Sequence, residues 1–327
     1  ERIEHVARRV AETRSRCDGV FVVVSAMGRT TDELIALAHR LNEDPPAREM
    51  DMLMSTGEMV TAPLLAMALM RIGVTAISLT GLQAGIRTSG THRKARIVDI
   101  VPERIVEALR NGMVAVIAGF QGVTDDLDIT TLGRGGSDFS ASIRAAALDA
   151  SELWIWTDVE GIMSADPRLV PEARVLEEVT YSEAAELAYN GAKVLHPRTL
   201  APLIEKQIPV WSKNSFALDQ PGTRIVPLAK VAPGHGPRAV TSMTNVALIS
   251  IEPASAAVSG TRLMARALEA LAGANAEVLA LSSSSYRQSF CFLVRNEELA
   301  ATMKNLEADL ALELTHGYLK PIEIDQG

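Results

Sequence analysis

The sequence has few of the residues that build metal cages or disulfide frameworks. It holds 2 cysteines and 6 histidines in 327 residues, and the histidines show no ligand spacing. Cys17 and Cys291 are far apart and read as small core hydrophobes, so no metal site and no disulfide framework is predicted and a reducing, cytoplasmic setting fits. Excess positive charge is also missing. The net charge is −8, which argues against non-specific nucleic-acid binding. No unbroken apolar run nears the eighteen or so residues that span a bilayer, and no signal peptide is visible. There is no G-x-x-x-x-G-K-[ST] P-loop, and the glycine cluster is not a dinucleotide fingerprint. Any nucleotide must therefore be held by another architecture.

What is present is ample apolar content, 47% of the chain, in a length that suits two domains. The chain is organised around Thr130-Thr131-Leu132-Gly133-Arg134-Gly135-Gly136-Ser137-Asp138. Its glycines let backbone approach a ligand closely, and Arg134 offers a rigid fork for carboxylate or phosphate. A strand-like run, residues 114–119, precedes it, and a helix is expected over 137–150. A glycine turn opening a helix presents exposed N–H groups and the positive end of the helix dipole to an anion. The same turn would also serve simply as a flexible helix entry.

Other segments alternate strand and helix. Residues 1–16 read as a helix that starts with no cap signal, and both ends of the sequence read as incomplete. Residues 19–28 form an apolar run ending in small polar residues, as in a buried parallel strand whose carboxyl end meets ligands. Ser25, Gly28, Thr30 and Thr31 lie there, with Thr31 or Asp32 an alternative cap for a helix over 33–41. Residues 42–48 read as an exposed loop. Ser55-Thr56-Gly57-Glu58 matches a capping box opening a helix to about residue 72; the alternative is that Glu58 faces a ligand ammonium. Strands are expected over 74–80 and 153–161, and at 208–211, with a helix over 101–111 and a long polar connection over 81–92. Thr157 and Asp158 lie in the polar end of the 153–161 strand, Asp166 and Arg168 lie in a turn, and Lys193 sits in a second glycine turn. This alternation over residues 1–227 argues α/β with a mostly parallel sheet sandwiched by helices.

The combined motifs resemble the aspartate kinases (aspartokinases) of the amino-acid kinase superfamily. The matching segments are Val24 to Gly28, Leu53 to Glu58, Ser78 to Gly81, Ala118 to Gly122, Thr131 to Asp138, Thr157 to Val159 with Asp166-Pro167-Arg168, and Gly191 to Pro197. The resemblance implies an amino-acid kinase fold and transfer of the ATP γ-phosphoryl group to the β-carboxylate of L-aspartate, with Mg²⁺. It assigns Arg134 to the substrate α-carboxylate and Glu58 to the α-ammonium. Ser25, Thr31, Phe120, Thr131 and Gly135 would line the substrate pocket, and Asp138 would organise the reacting groups. Thr157, Asp158, Met163, Asp166, Arg168 and Lys193 would meet the nucleotide. The sequence departs from the family in two places: it shows no Lys-Phe-Gly-Gly-Thr-Ser strand, expected to be a missing N-terminal stretch, and it has Met163 where an aromatic residue is frequent.

Residues 228–241 read as a linker. Beyond it, strands over 245–251, 277–282, 290–294 and 310–314 and helices over 258–272 and 297–309 give a ferredoxin-like βαββαβ order. Residues 242–327 resemble one ACT regulatory unit, where the family usually has two. The resemblance implies a lysine or threonine effector and a homo-oligomer. Ser259, Thr261, Ser282, Ser283 and Gln288, with the loop from residue 255, are the effector candidates; turn and cap chemistry is the alternative. A non-catalytic amino-acid sensor or another amino-acid kinase, such as an acetylglutamate or glutamate 5-kinase, remains a competing reading.

Overall fold

The computed structural model describes residues 2–133, 135–192, 195, 197–228, 236–254 and 258–326. Arg134, Lys193 and part of the 255–261 loop thus lie outside the described residues. Contacts divide the chain into two compact units, one of residues 1–189 and 193–240, the other of 190–192 and 241–327.

The first unit runs α1 (Arg2–Arg14), β1 (Phe21–Val24), α2 (Thr30–Leu41), α3 (Ala47–Arg71), β2 (Ala76–Leu79), β3 (Ile86–Thr88), β4 (Ile97–Ile100) and α4 (Glu103–Arg110). It continues with β5 (Val114–Ala118), β6 (Gln121–Val123), β7 (Ile129–Thr131), α5 (Gly136–Ala147), β8 (Leu153–Thr157), β9 (Glu178–Thr180), α6 (Tyr181–Tyr189), α7 (Pro197–Lys206), β10 (Val210–Asn214) and β11 (Thr223–Val226). Strands β1, β5 and β2 form a parallel sheet in that order. Every residue of β5 is buried, as a central parallel strand covered on both faces requires. A second sheet, β8-β10-β11-β9, is parallel except at the β10–β11 pair. One core joins the two sheets: Phe21 and Val23 of β1 pack against the cluster of Leu153, Ile155, Val210 and Leu203.

Several expectations need correction. Ser55-Thr56-Gly57-Glu58 does not start a helix. The helix begins at Ala47 after Pro46, so Glu58 lies three turns inside it. The apolar sequence before Ser55 (Met50, Leu53, Met54) is already helical, which removes the capping-box reading. Helix α3 is long and apolar enough to cross a membrane by length and composition, yet half of its apolar window is buried within the unit. The connection over 81–92 contains β3, and β3, β4, β6 and β7 make a further mixed sheet in the order β4-β3-β6-β7. These strands have 3 or 4 residues each, too short for alternation to show in sequence. Cys17 is exposed and Cys291 half-buried, so neither is a core hydrophobe.

The second unit comprises β12 (Val246–Ile251), α8 (Gly260–Gly273), β13 (Ala280–Ser284), β14 (Ser289–Arg295), α9 (Asn296–Asp309), α10 (Ala311–Thr315) and β15 (Glu323–Gln326). Its antiparallel sheet is ordered β13-β14-β12-β15, packed on α8 and α9 through Ile249, Phe292, Leu263, Ala267 and Leu306. This is the expected βαββαβ order, but the last strand is misplaced in sequence. Residues 311–315 form α10 and the strand comes at 323–326. Leu310 packs in the core as the C-cap of α9, and that supplied the apolar signal.

Candidate active site

The site is built where strand ends and two helices converge. The Gly119 N–H donates to the Val24 carbonyl at 3.0 Å, tying the end of β5 to the end of β1. A Cβ at Gly119 would lie 2.9 Å from Ser137 Cβ, so the start of α5 abuts this pair of strands. Phe120 adopts φ 66°, a strained conformation for a non-glycine residue. Its carbonyl accepts the Leu132 N–H at 2.9 Å, and a Cβ at Gly136 would meet its ring at 2.7 Å. Gly133 and Gly135 have φ 79° and 70°, and Gly135 is the N-cap of α5. These are left-handed positions that glycine occupies without penalty. The predicted turn is therefore real, and it is packed on Phe120.

Glu58 approaches from α3. A Cβ at Gly57 would come within 2.7 Å of Ala26 Cβ, so glycine is what lets the helix meet the segment following β1. Glu58 Oε1 accepts the Ala26 N–H at 3.0 Å, while Oε2 is buried with no partner. Burial raises the Glu58 carboxyl above the usual range, opposed by the Ala26 hydrogen bond. Burial likewise raises Asp138, in the first turn of α5. Ser25 is exposed beside Ala26, and Thr31 is half-buried in the first turn of α2. Thr131 is fully buried at the end of β7. The structure thus packs Phe120 on the glycine turn at Leu132 and Gly136, seats Glu58 against Ala26 next to Ser25, and places Asp138 in the first turn of the helix that this turn opens.

Thr157 and Asp158 close β8, Thr157 donating to Asp158 at 3.2 Å. The Thr157 carbonyl accepts both the N–H and the hydroxyl of Ser215, beyond β10. Met163 forms a bridge with Val175. Exposed Arg168 is held by Asp166 through Nη2 at 2.6 Å and Nε at 3.0 Å, which raises the pKa of the guanidinium.

Two groups escaped sequence reasoning. Asp51, fully buried on α3, accepts hydrogen bonds from Thr131 and Arg93. Gln121 donates to the Ser55 carbonyl at 3.0 Å and accepts from the Gly81 N–H at 3.3 Å. Asp51, Ser55 and Glu58 recur at i, i+4 and i+7, so one face of the helix that starts at residue 47 carries three buried polar groups. A cavity of about 840 Å³, lined by Arg87, His92, Asp99 and Asp125 among others, holds none of the predicted residues.

Within the second unit, Ser259 caps α8, its side chain accepting the Arg262 N–H at 3.5 Å, and Gln288 accepts the Gly260 N–H at 3.2 Å. Thr261 is exposed in the same first turn. Ser282 and Ser283 lie on the exposed β13 and line a cavity of about 290 Å³ with Ser250, Cys291 and Lys320. Ser259 and Gln288 thus meet at the helix start, while Ser282 and Ser283 line the cavity on β13 and β14.

The family model described as the amino acid kinase family matches residues 1–214. The chain belongs to that family. It is 43% identical over 314 residues to an aspartokinase from Geobacillus stearothermophilus, covering 94% of this chain and 75% of that one. It is 50% identical over 224 residues to an aspartokinase from Mycolicibacterium smegmatis, 68% of this chain and 53% of the relative. The chain spans little more than half the length of most of the curated relatives it matches. The crystal structure of E. coli aspartokinase III in complex with aspartate and ADP superposes with a TM-score of 0.70 at 29% identity, covering 91% of this chain and 66% of that one. The same enzyme in complex with lysine and aspartate gives a TM-score of 0.66. This amino acid kinase therefore carries its family's fold over the first unit.

Proposed function

We propose that this amino acid kinase transfers the γ-phosphoryl group of ATP to the β-carboxylate of L-aspartate, giving 4-phospho-L-aspartate. The observation that carries the reading is the buried Oε2 of Glu58, which has no hydrogen-bond partner. A buried carboxylate oxygen without a donor is costly, and a substrate ammonium supplies the missing donor. Arg134, in the turn three residues after Thr131, takes the substrate α-carboxylate in a forked pair. Ser25, Thr31, Phe120, Thr131 and Gly135 line the pocket, and Asp138 orients the reacting groups. Thr157, Asp158, Met163, Asp166, Arg168 and Lys193 meet the nucleotide. The curated relatives are aspartokinases, and a structural neighbour was solved with aspartate and ADP, which supports this substrate pair.

The chemistry needs little from the protein beyond position and neutralised charge. Among the described residues no group of 3 or more His, Cys, Asp or Glu could hold a metal ion. Mg²⁺ would be carried by the nucleotide phosphates with its waters and would neutralise charge on the transferring group. Arg134, Arg168 and Lys193 supply the remaining positive charge from this chain. The second unit is assigned to amino-acid feedback by lysine or threonine, with Ser259, Thr261 and Gln288 as one candidate contact set and Ser282 and Ser283 as another, in a homo-oligomer. A neighbour solved with lysine and aspartate supports this.

The test is an assay with Mg-ATP and L-aspartate, trapping the acyl phosphate as its hydroxamate, with and without lysine and threonine. Hydroxamate formed with aspartate and suppressed by one of the two amino acids is the expected result. Equal or greater turnover with N-acetylglutamate or glutamate would overturn the substrate assignment. No turnover, with lysine or threonine still bound, would favour the sensor reading.

A further inference from the structure

Asp51 is a carboxylate with no solvent exposure, and four hydrogen bonds converge on it. Oδ1 accepts the Thr131 hydroxyl at 2.6 Å and the Arg93 N–H at 3.1 Å. Oδ2 accepts the same N–H at 2.9 Å and meets His92 Nδ1 at 2.9 Å. A buried carboxylate is weak evidence for stability, since apolar replacements often serve the fold as well. Its partners say more. Arg93 adopts φ 65°, a conformation that persists in a non-glycine residue only where surroundings enforce it. The Arg93 carbonyl lies against Gly133, where a Cβ would come within 3.2 Å. Ala95 N–H donates to the Thr131 carbonyl at 3.0 Å, and Leu132 N–H to the Phe120 carbonyl at 2.9 Å. One side chain therefore fixes the strand end before the glycine turn and the strained segment behind it.

We propose that Asp51 is a positioning residue: through Thr131 and Arg93 it holds the 132–136 turn in the geometry that receives the carboxylate of the amino-acid substrate. This deepens the reading of the site as an aspartate pocket and rests on it. Asp51 itself touches no substrate. Its effect falls on the amino-acid side alone, because none of its partners belongs to the residues assigned to the nucleotide.

The experiment compares Asp51→Ala, Asp51→Asn and wild type by steady-state kinetics and by amide hydrogen exchange. Asparagine keeps a carbonyl for Thr131 and Arg93, and its NH₂ can donate to a neutral His92 Nδ1. The alanine variant is expected to raise the KM for aspartate by about tenfold to a hundredfold while the KM for ATP stays within about twofold. Exchange at Arg93, Ala95 and Leu132 should accelerate, with the interior amides of α3 unchanged; asparagine should restore most of both effects. The proposal is overturned if both KM values move together, if exchange rises throughout the unit, or if those three amides are unaffected. Should Asp51→Ala not fold, His92→Ala, which removes one of the four contacts, is read the same way. A KM rise of about threefold confined to aspartate supports the proposal, and no rise overturns it. If the wild-type chain makes no acyl phosphate, the substrate reading fails while the exchange comparison still decides the role of Asp51.

Discussion

The two halves of the candidate site are built differently. On the proposed amino-acid side, Glu58, Thr131 and Asp51 are buried, Gly133 and Gly135 are left-handed, and Asp51 accepts hydrogen bonds from Thr131 and Arg93. On the proposed nucleotide side, Asp158 and Arg168 are exposed, and Arg168 is paired with Asp166. The first half is held by buried hydrogen bonds; in the second, the exposed guanidinium rests on an ion pair with Asp166 that uses Nε and Nη2. A small amino acid offers few atoms, so discrimination rests on rigid polar complementarity. A nucleotide brings enough charge and surface to reorganise what it binds.

The largest expected effect comes from Arg134→Ala, which removes the one cation of the rigid turn. Turnover should fall by about a thousandfold or more with an unchanged thermal midpoint. A near-normal rate would break the comparison at its centre. Glu58→Gln sharpens it through pH. Because burial raises the Glu58 carboxyl, kcat/KM for aspartate should climb as pH rises through that raised value. The glutamine variant should be flat and low. Without substrate the sign for stability is the opposite. A carboxyl raised on folding favours the fold below the ordinary glutamate range, and that contribution is lost as pH rises through the raised value. Glu58→Gln should therefore be more stable than wild type at neutral pH, measured by denaturant titration.

Arg168→Ala tests the other half. It should raise the KM for ATP by about tenfold or less and leave the aspartate KM alone, because an exposed arginine already paired with Asp166 gives up part of its interaction energy on release. The smallest effect concerns stability. Arg144 is fully buried on α5, its Nη1 donating to the Ser140 carbonyl while Nε and Nη2 lack partners, and burial pulls its pKa down to about 9. Arg144→Met should stabilise the first unit by about 1–3 kcal/mol, seen as a rise of a few degrees in thermal midpoint with activity retained.

The buried half was the more legible in sequence. The glycine turn reads directly, because Gly133 and Gly135 mark left-handed backbone and Gly136 a close approach. Glu58 was singled out for its chemistry but placed at a helix start, since Ser-Thr-Gly-Glu imitates a capping box while the true start after Pro46 is weakly marked. That misplacement hid Asp51, whose meaning depends on lying two turns before Glu58 on the same face. His92 and Arg93 escaped notice because their partner is 41 and 42 residues away, and no local pattern encodes such a pairing. The βαββαβ order of the second unit was legible from long periodic segments, except where Leu310, Leu312 and Leu314 imitated a strand.

The most direct test is a crystal structure of the chain with L-aspartate and ADP bound. The account predicts the substrate ammonium on Glu58 Oε2 and its α-carboxylate at Arg134. Residues 129–138 should shift by less than about 1 Å, while Arg168 leaves Asp166 for the nucleotide. An amino acid bound away from Glu58, or a rebuilt turn beside an intact Asp166–Arg168 pair, would contradict it.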